Sequence, residues 1–176
     1  MTFKPRYFGT PTKCQGETKT ATIIKEDLAI GGYVMAPQLI EKGWICQILA
    51  DSAPEPDLPS VKTSLIDGVG NDFAKIQTIL LRIVRWWNEG RKVAVLCRTG
   101  ANRAPSIAAA SMVLAGRASS VYGAIEHFRA HRREVGHYGK TAFEVEQALS
   151  DLIRFEIKDT HKHLLAGSEV KLAGHK

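Results

Sequence analysis

The stretch Val93-Ala-Val-Leu-Cys97-Arg-Thr-Gly-Ala-Asn-Arg103-Ala-Pro-Ser106 sets the terms for the whole chain. An apolar β-type run ends at a cysteine, a short glycine-containing loop follows, and an alanine-rich helical pattern begins. Strand, loop and helix in that order build a seat for an anion. Backbone N–H groups of the loop and of the helix N-terminus point inward, and the helix dipole adds positive charge. The Arg103 guanidinium offers a planar fork that suits two oxygens of a phosphate-like group. Every neighbour of Cys97 in such a seat favours its thiolate. The bare Cys-to-Arg spacing is weak, and a buried structural cysteine is the plain alternative. Context favours the functional reading: Cys97 closes an apolar run, Gly100 sits mid-loop, and Pro105 falls in the first helical turn, where its missing N–H is tolerated.

The 176 residues suffice for one domain with a substantial core. With 44% apolar and 24% charged residues, the composition is that of a soluble globular protein. No signal-peptide pattern opens the chain and no apolar run approaches membrane-spanning length, so no membrane insertion is expected. Cys14, Cys46 and Cys97 are spaced for neither a disulfide framework nor a zinc site. A cytoplasmic setting is expected, and neither a metal nor a cofactor. The net charge of +6 and pI near 9.3 favour anionic partners. The cations are scattered, with no aromatic-interleaved basic stripe to mark a nucleic-acid groove. A phosphorylated protein substrate accounts for the balance, with RNA as the second choice.

Residues 1–19 read as an N-terminal arm, 20–158 as the folded domain and 159–176 as a polar C-terminal tail. Within the domain, strands are expected at 20–24, 28–30, 44–50, 63–66 and 93–96. A short helix is expected at 37–42, and residues 51–59, with three prolines, must be loop. Asp72 is placed to cap a helix running to Asn88, whose apolar face is Ile76, Ile79, Leu80, Ile83, Val84 and Trp87, with Trp86 partly exposed. Further helices are expected at 104–115, from Ser119 or Ser120 to about 133, and from a capping box at Thr141 and Glu144 to about 157. Short strands alternating with helices predict an α/β fold, a central, mostly parallel sheet of about five strands flanked by helices. In such folds ligands bind beyond the carboxyl ends of the strands, where Cys97 lies.

Attack by a thiolate on phosphorus needs an acid to protonate the departing oxygen. Asp67 is the best placed, after the expected strand at 63–66 and at the start of a loop containing Gly68 and Gly70. An ordinary turn aspartate is its plain reading. Asp72 is better explained as a helix cap, and Asp51 and Asp57 lie in the proline-rich loop.

These motifs resemble those of the dual-specificity phosphatase family, within the cysteine-based protein tyrosine phosphatase superfamily. The segment from Cys97 to Arg103 matches the family's signature cysteine, glycine and arginine, and Ala104-Pro105-Ser106-Ile107 resembles the start of its following helix. Ile66-Asp67 with Asp72-Phe73 resembles the general-acid loop and the helix after it, and the likeness spans about residues 20–157. The resemblance implies a protein tyrosine phosphatase-like fold and hydrolysis of phosphate monoesters, phosphotyrosine and possibly phosphoserine or phosphothreonine, through a cysteinyl phosphate. Cys97 would be the nucleophile, Arg103 the phosphate clamp and Asp67 the general acid, with Arg98, Thr99, Gly100, Ala101 and Asn102 offering backbone amides. Two positions depart from the family pattern: Leu96 replaces the usual histidine before the cysteine, and Ala104 the usual Ser or Thr after the arginine. Loss of that hydroxyl predicts slow breakdown of the phosphocysteine, because Ser106 stands two positions further on.

Three other readings stay open. Cys-Arg-Thr-Gly resembles the active loop of rhodanese-like sulfurtransferases, and Gly-Ala-Asn-Arg resembles a segment of RNA 5′-triphosphatases. A noncatalytic phosphate-binding module would explain Leu96 and Ala104. The pair His127 and His131 has metal-ligand spacing, but the neighbouring arginines favour a solvated face. Arg132 and Arg133 read either as solvated or as reaching substrate phosphates, and Tyr138 as a residue bordering the pocket.

Overall fold

The computed structural model describes the backbone of residues 7–8, 13–14, 17–18 and 20–172, and the side chains of residues 20–159. The strands are Tyr7–Phe8 (β1), Lys13–Cys14 (β2), Glu17–Thr18 (β3), Ala21–Lys25 (β4), Leu28–Gly32 (β5), Trp44–Ile48 (β6), Val61–Lys62 (β7) and Lys92–Cys97 (β8). The helices are Ala36–Glu41 (α1), Phe73–Asn88 (α2), Arg103–Leu114 (α3), Val121–His131 (α4) and Lys140–Leu172 (α5). Most of the arm expected at 1–19 lies outside the described residues; within it, β1 pairs with β4, and β2 with β3. Backbone from residue 159 onward, expected to be a tail, continues α5 as far as Leu172.

One sheet runs in the order β1-β4-β5-β8-β6-β7. Its β5, β8, β6 and β7 are mutually parallel, and β4 and β1 form an antiparallel edge. The expected mostly parallel α/β sheet is therefore present, with the two-residue β1 as an extra strand. β8 lies between two parallel neighbours and is covered on both faces. Val93, Val95 and Cys97 join one core cluster, and Ala94 and Leu96 the other. That double burial is why the strand reads as an unbroken apolar run rather than an alternation.

Asp72 caps α2, its Oδ1 accepting from the Ala74 N–H at 2.9 Å. The α2 stripe Ile76, Ile79, Leu80 and Ile83 is wholly buried. Trp86, expected to be partly exposed, is buried beside Trp87, because α2 packs against β8, α3 and α5. α3 has no polar face, since α2, α4, α5 and β8 all pack around it. The strand expected at 63–66 is displaced: β7 occupies only Val61–Lys62. The chain nevertheless stays beside β6, with the amides of Thr63 and Leu65 donating to the carbonyls of Ile48 and Leu49 at 2.8 and 3.0 Å. β6 ends at Ile48, and beyond it this segment gains only the bond to Leu49.

Candidate active site

Cys97 ends β8 at the centre of the sheet, and Arg103 opens α3, so residues 98–102 must turn the chain sharply over the strand ends. Gly100 makes the turn possible. Its φ of +72° is a conformation other residues seldom adopt. An added Cβ would also stand 2.9 Å from the Gly31 backbone and 3.0 Å from Arg132 Nη2. Gly31 is equally constrained, since its own Cβ would lie 2.6 Å from Ala21. The loop is thus seated on β5 through two glycines. In this arrangement the Gly100 N–H donates to Cys97 Sγ at 3.2 Å. Cys97 is 2% exposed and carries no disulfide.

Arg103 is also buried, at 9% exposure. Its Nη1 donates to the carbonyls of Leu49 and Leu65 at 3.1 and 3.0 Å, tying the start of α3 to the end of β6 and to the segment leading to Asp67. Its Nε is buried without a hydrogen-bond partner among the described residues. A buried unpaired donor is costly, commonly about 1–3 kcal/mol and more for a charged group. An oxyanion acceptor would remove that cost.

The loop is also supported by Arg132, which is fully buried. Its Nη1 reaches the Thr20 and Thr22 hydroxyls at 3.2 Å each, and its Nη2 donates to the Thr99 carbonyl at 2.9 Å. Neither the solvated nor the phosphate-binding reading of Arg132 holds: α4 ends there in extended backbone, φ −140° and ψ 115°, which carries the residue out of the helix. Arg133 is exposed.

Asp67 is exposed and lines a groove of about 410 Å³ with Gly68, Ala101, Asn102, His137 and Lys140. Cys97 and Arg103 are not part of that lining. Asp67 sits in a loop fastened at both ends. Asn71 accepts from the Ile66 N–H at 2.7 Å and donates to the Ile66 carbonyl at 3.2 Å. Glu144, 7% exposed on α5, accepts from the Gly70 and Asn71 N–H groups at 2.6 and 3.1 Å and from Asn71 Nδ2 at 2.7 Å. Glu144 is therefore not the partner in a capping box with Thr141: α5 already begins at Lys140, and the carboxylate reaches across to the Asp67 loop.

Leu96 and Ala104, the two departures from the family pattern, are both fully buried. Leu96 packs in the core cluster with Ile48 and Trp44 and brings no donor to the loop. The Ser106 hydroxyl donates back to the Asn102 carbonyl at 2.7 Å, so its proton is already committed. The His127 and His131 rings lie 4.4 Å apart, and His131 Nδ1 is 2.8 Å from the His127 carbonyl. Partial burial, then the charges of His131 and Lys25, hold His127 below its ordinary pKa. Tyr138 donates to the Glu146 carboxylate rather than lining the groove. Among the described residues no cluster of three or more His, Cys, Asp or Glu could hold a metal ion, and no helix is long and apolar enough to cross a membrane.

By sequence, no family model matches the chain and no curated protein matches it. Solved structures do. The human tyrosine phosphatase-like serine/threonine/tyrosine-interacting protein superposes with a TM-score of 0.63 at 16% identity, over 76% of this chain and 97% of that one. Human DUSP28 gives 0.63 at 15% identity, over 74% and 96%. A mouse putative dual specificity phosphatase complexed with zinc tungstate gives 0.63 at 16%, over 78% and 90%. The chain has the fold of the dual-specificity and tyrosine phosphatases.

Proposed function

We propose that this protein is a cysteine-dependent phosphatase, with residues 20–158 as its catalytic domain and protein phosphotyrosine, with or without phosphoserine and phosphothreonine, as its substrate class. The single observation that carries the reading is Arg103. One side of its guanidinium is fixed by two carbonyls, and its buried Nε is left without a partner among the described residues, at the start of the helix that follows the Cys97 loop. An oxyanion acceptor would satisfy that donor. The tungstate complex of the mouse structure agrees with this reading, tungstate being a tetrahedral oxyanion.

In the proposed reaction the Cys97 thiolate attacks phosphorus and the ester P–O bond breaks. Asp67 gives its proton to the departing oxygen. Asp67, now a carboxylate, takes a proton from water as that water attacks the phosphocysteine, and inorganic phosphate leaves with the thiolate restored. Arg103 and the amides of Arg98, Thr99, Gly100, Ala101 and Asn102 stabilise the charge on the transferring oxygens. A cytoplasmic site of action would keep Cys97 reduced.

Hydrolysis of aryl phosphates tests this. Cys97→Ser should abolish it. Asp67→Asn should slow esters of poor leaving groups by about 10²-fold and good ones far less. Asp72→Ala should cost about 1 kcal/mol of stability and leave that dependence unchanged. Turnover surviving in Cys97→Ser would sink the reading. Phosphate release from a triphosphate-ended RNA but not from a phosphotyrosine peptide would move the substrate to RNA. Persulfide formation from thiosulfate, indifferent to Asp67→Asn, would make it a sulfurtransferase.

A further inference from the structure

The loop that carries Asp67 turns through backbone conformations that favour glycine: Gly68 and Gly70 adopt φ values of +144° and +100°. The Asp67 carboxylate makes no hydrogen bond to any described residue, so its own side chain does not fix it. What fixes the end of the loop is a carboxylate on α5, far along the chain. Glu144 is nearly buried, and the donors it receives are the Gly70 N–H, the Asn71 N–H and the Asn71 amide. A buried carboxylate is tolerable only while such donors surround it. Opening the loop would strand that charge, so Glu144 holds the loop closed with the strength of three charge-assisted hydrogen bonds.

We propose that Glu144 is the positioning residue of the general acid: from α5 it locks the segment after Asp67 and keeps that carboxyl over the Cys97 loop. The inference rests on the phosphatase reading. Asn71 completes the device, since it bonds Glu144 on one side and both the N–H and the carbonyl of Ile66 on the other. Arg103 holds the same loop from its opposite end through Leu65. The acid is thereby clamped on both sides, one clamp shared with the phosphate-binding arginine and one independent of it.

The test uses the full chain and a series of aryl phosphates from dinitrophenyl to phenyl. Glu144→Ala should lower kcat/KM for phenyl phosphate by roughly tenfold while changing dinitrophenyl phosphate by less than about twofold, because only poor leaving groups need the proton. Glu144→Gln, which keeps one acceptor oxygen, should recover part of the loss. The double variant Asp67→Asn with Glu144→Ala should be no slower than Asp67→Asn alone. Equal slowing of every ester, or a double variant slower by the full product of the two effects, would overturn the proposal. If Glu144→Ala does not fold, Asn71→Ala releases the same loop without removing a buried carboxylate. The same pattern is then expected, and uniform slowing counts against it. A leaving-group effect in Asp67→Asn but none in the Glu144 or Asn71 variants sinks this proposal alone. No such effect in Asp67→Asn, or activity in Cys97→Ser, sinks the phosphatase reading and this proposal with it.

Discussion

Arg132 Nη2 donates to the carbonyl of Thr99 at 2.9 Å, while Nη1 of the same side chain reaches Thr20 and Thr22 beside the sheet edge. A fully buried guanidinium thus props the candidate phosphate loop from behind. Removing it should act on folding and on the loop together. Arg132→Ala should cost about 3 kcal/mol of stability, since hydrogen bonds to a buried charge are lost and their acceptors left bare. It should also lower kcat on a small aryl phosphate. Arg132→Lys should restore little, because an ammonium cannot span both threonines and Thr99 at once. Denaturant unfolding and steady-state kinetics check both; a variant that unfolds at the wild-type midpoint would contradict the support role.

On the proposed phosphatase reading, Ala104 stands at the position where the dual-specificity phosphatase pattern has a hydroxyl to stabilise the departing sulfur, and the Ser106 proton is held by Asn102. Phosphocysteine should therefore accumulate. Rapid mixing with a chromogenic phosphate should give a burst of the first product followed by slower turnover. Ala104→Ser should shrink the burst and raise the steady rate. A wild type with no burst would mean that breakdown does not limit the reaction.

Cys46 lies wholly inside the sheet on β6, and burial pushes its thiol up to about 12, with the hydrogen bond to Ser60 pulling slightly the other way. In the unfolded chain it ionises near its ordinary value of about 9. Below that value both states hold the proton and this group's contribution is intact. As pH rises from about 9 towards 12 the unfolded chain loses the proton first, so stability falls. Urea unfolding at pH 8 and pH 10.5 should show a larger alkaline loss in wild type than in Cys46→Ala. Identical losses would remove Cys46 from the account.

The central strand, its loop and α3 were legible because burial on both sides leaves an apolar run, and because Gly100 and Pro105 fall where a turn and a first helical turn want them. The α2 stripe and its Asp72 cap were legible for the same local reason. What sequence spacing could not convey is reach. Thr141 and Glu144 carry the pattern of a capping box, yet Glu144 bonds to Gly70 and Asn71, far away in the chain. Arg132 and Arg133 look like one basic surface, but the end of α4 sends them to opposite environments. Gly31, near the end of β5, makes room for the loop against β4 and β5, a close approach between segments far apart in the chain. A strand expected at 63–66 failed because β7's one neighbour, β6, is already ending. Each of these depends on which distant segments meet, which periodicity does not encode.

An arginine fastened by one nitrogen before any guest arrives has few rotamers left to surrender. The two carbonyls that hold Arg103 Nη1 hold the rest of the guanidinium still. Capture of a tetrahedral anion therefore freezes little that was free, and the usual loss of side-chain entropy on association, about 0.5–1.5 kcal/mol for such a residue, is largely avoided. On the proposed phosphatase reading, even a small inorganic ion, with no organic portion to add contacts, should meet a side chain already held in place.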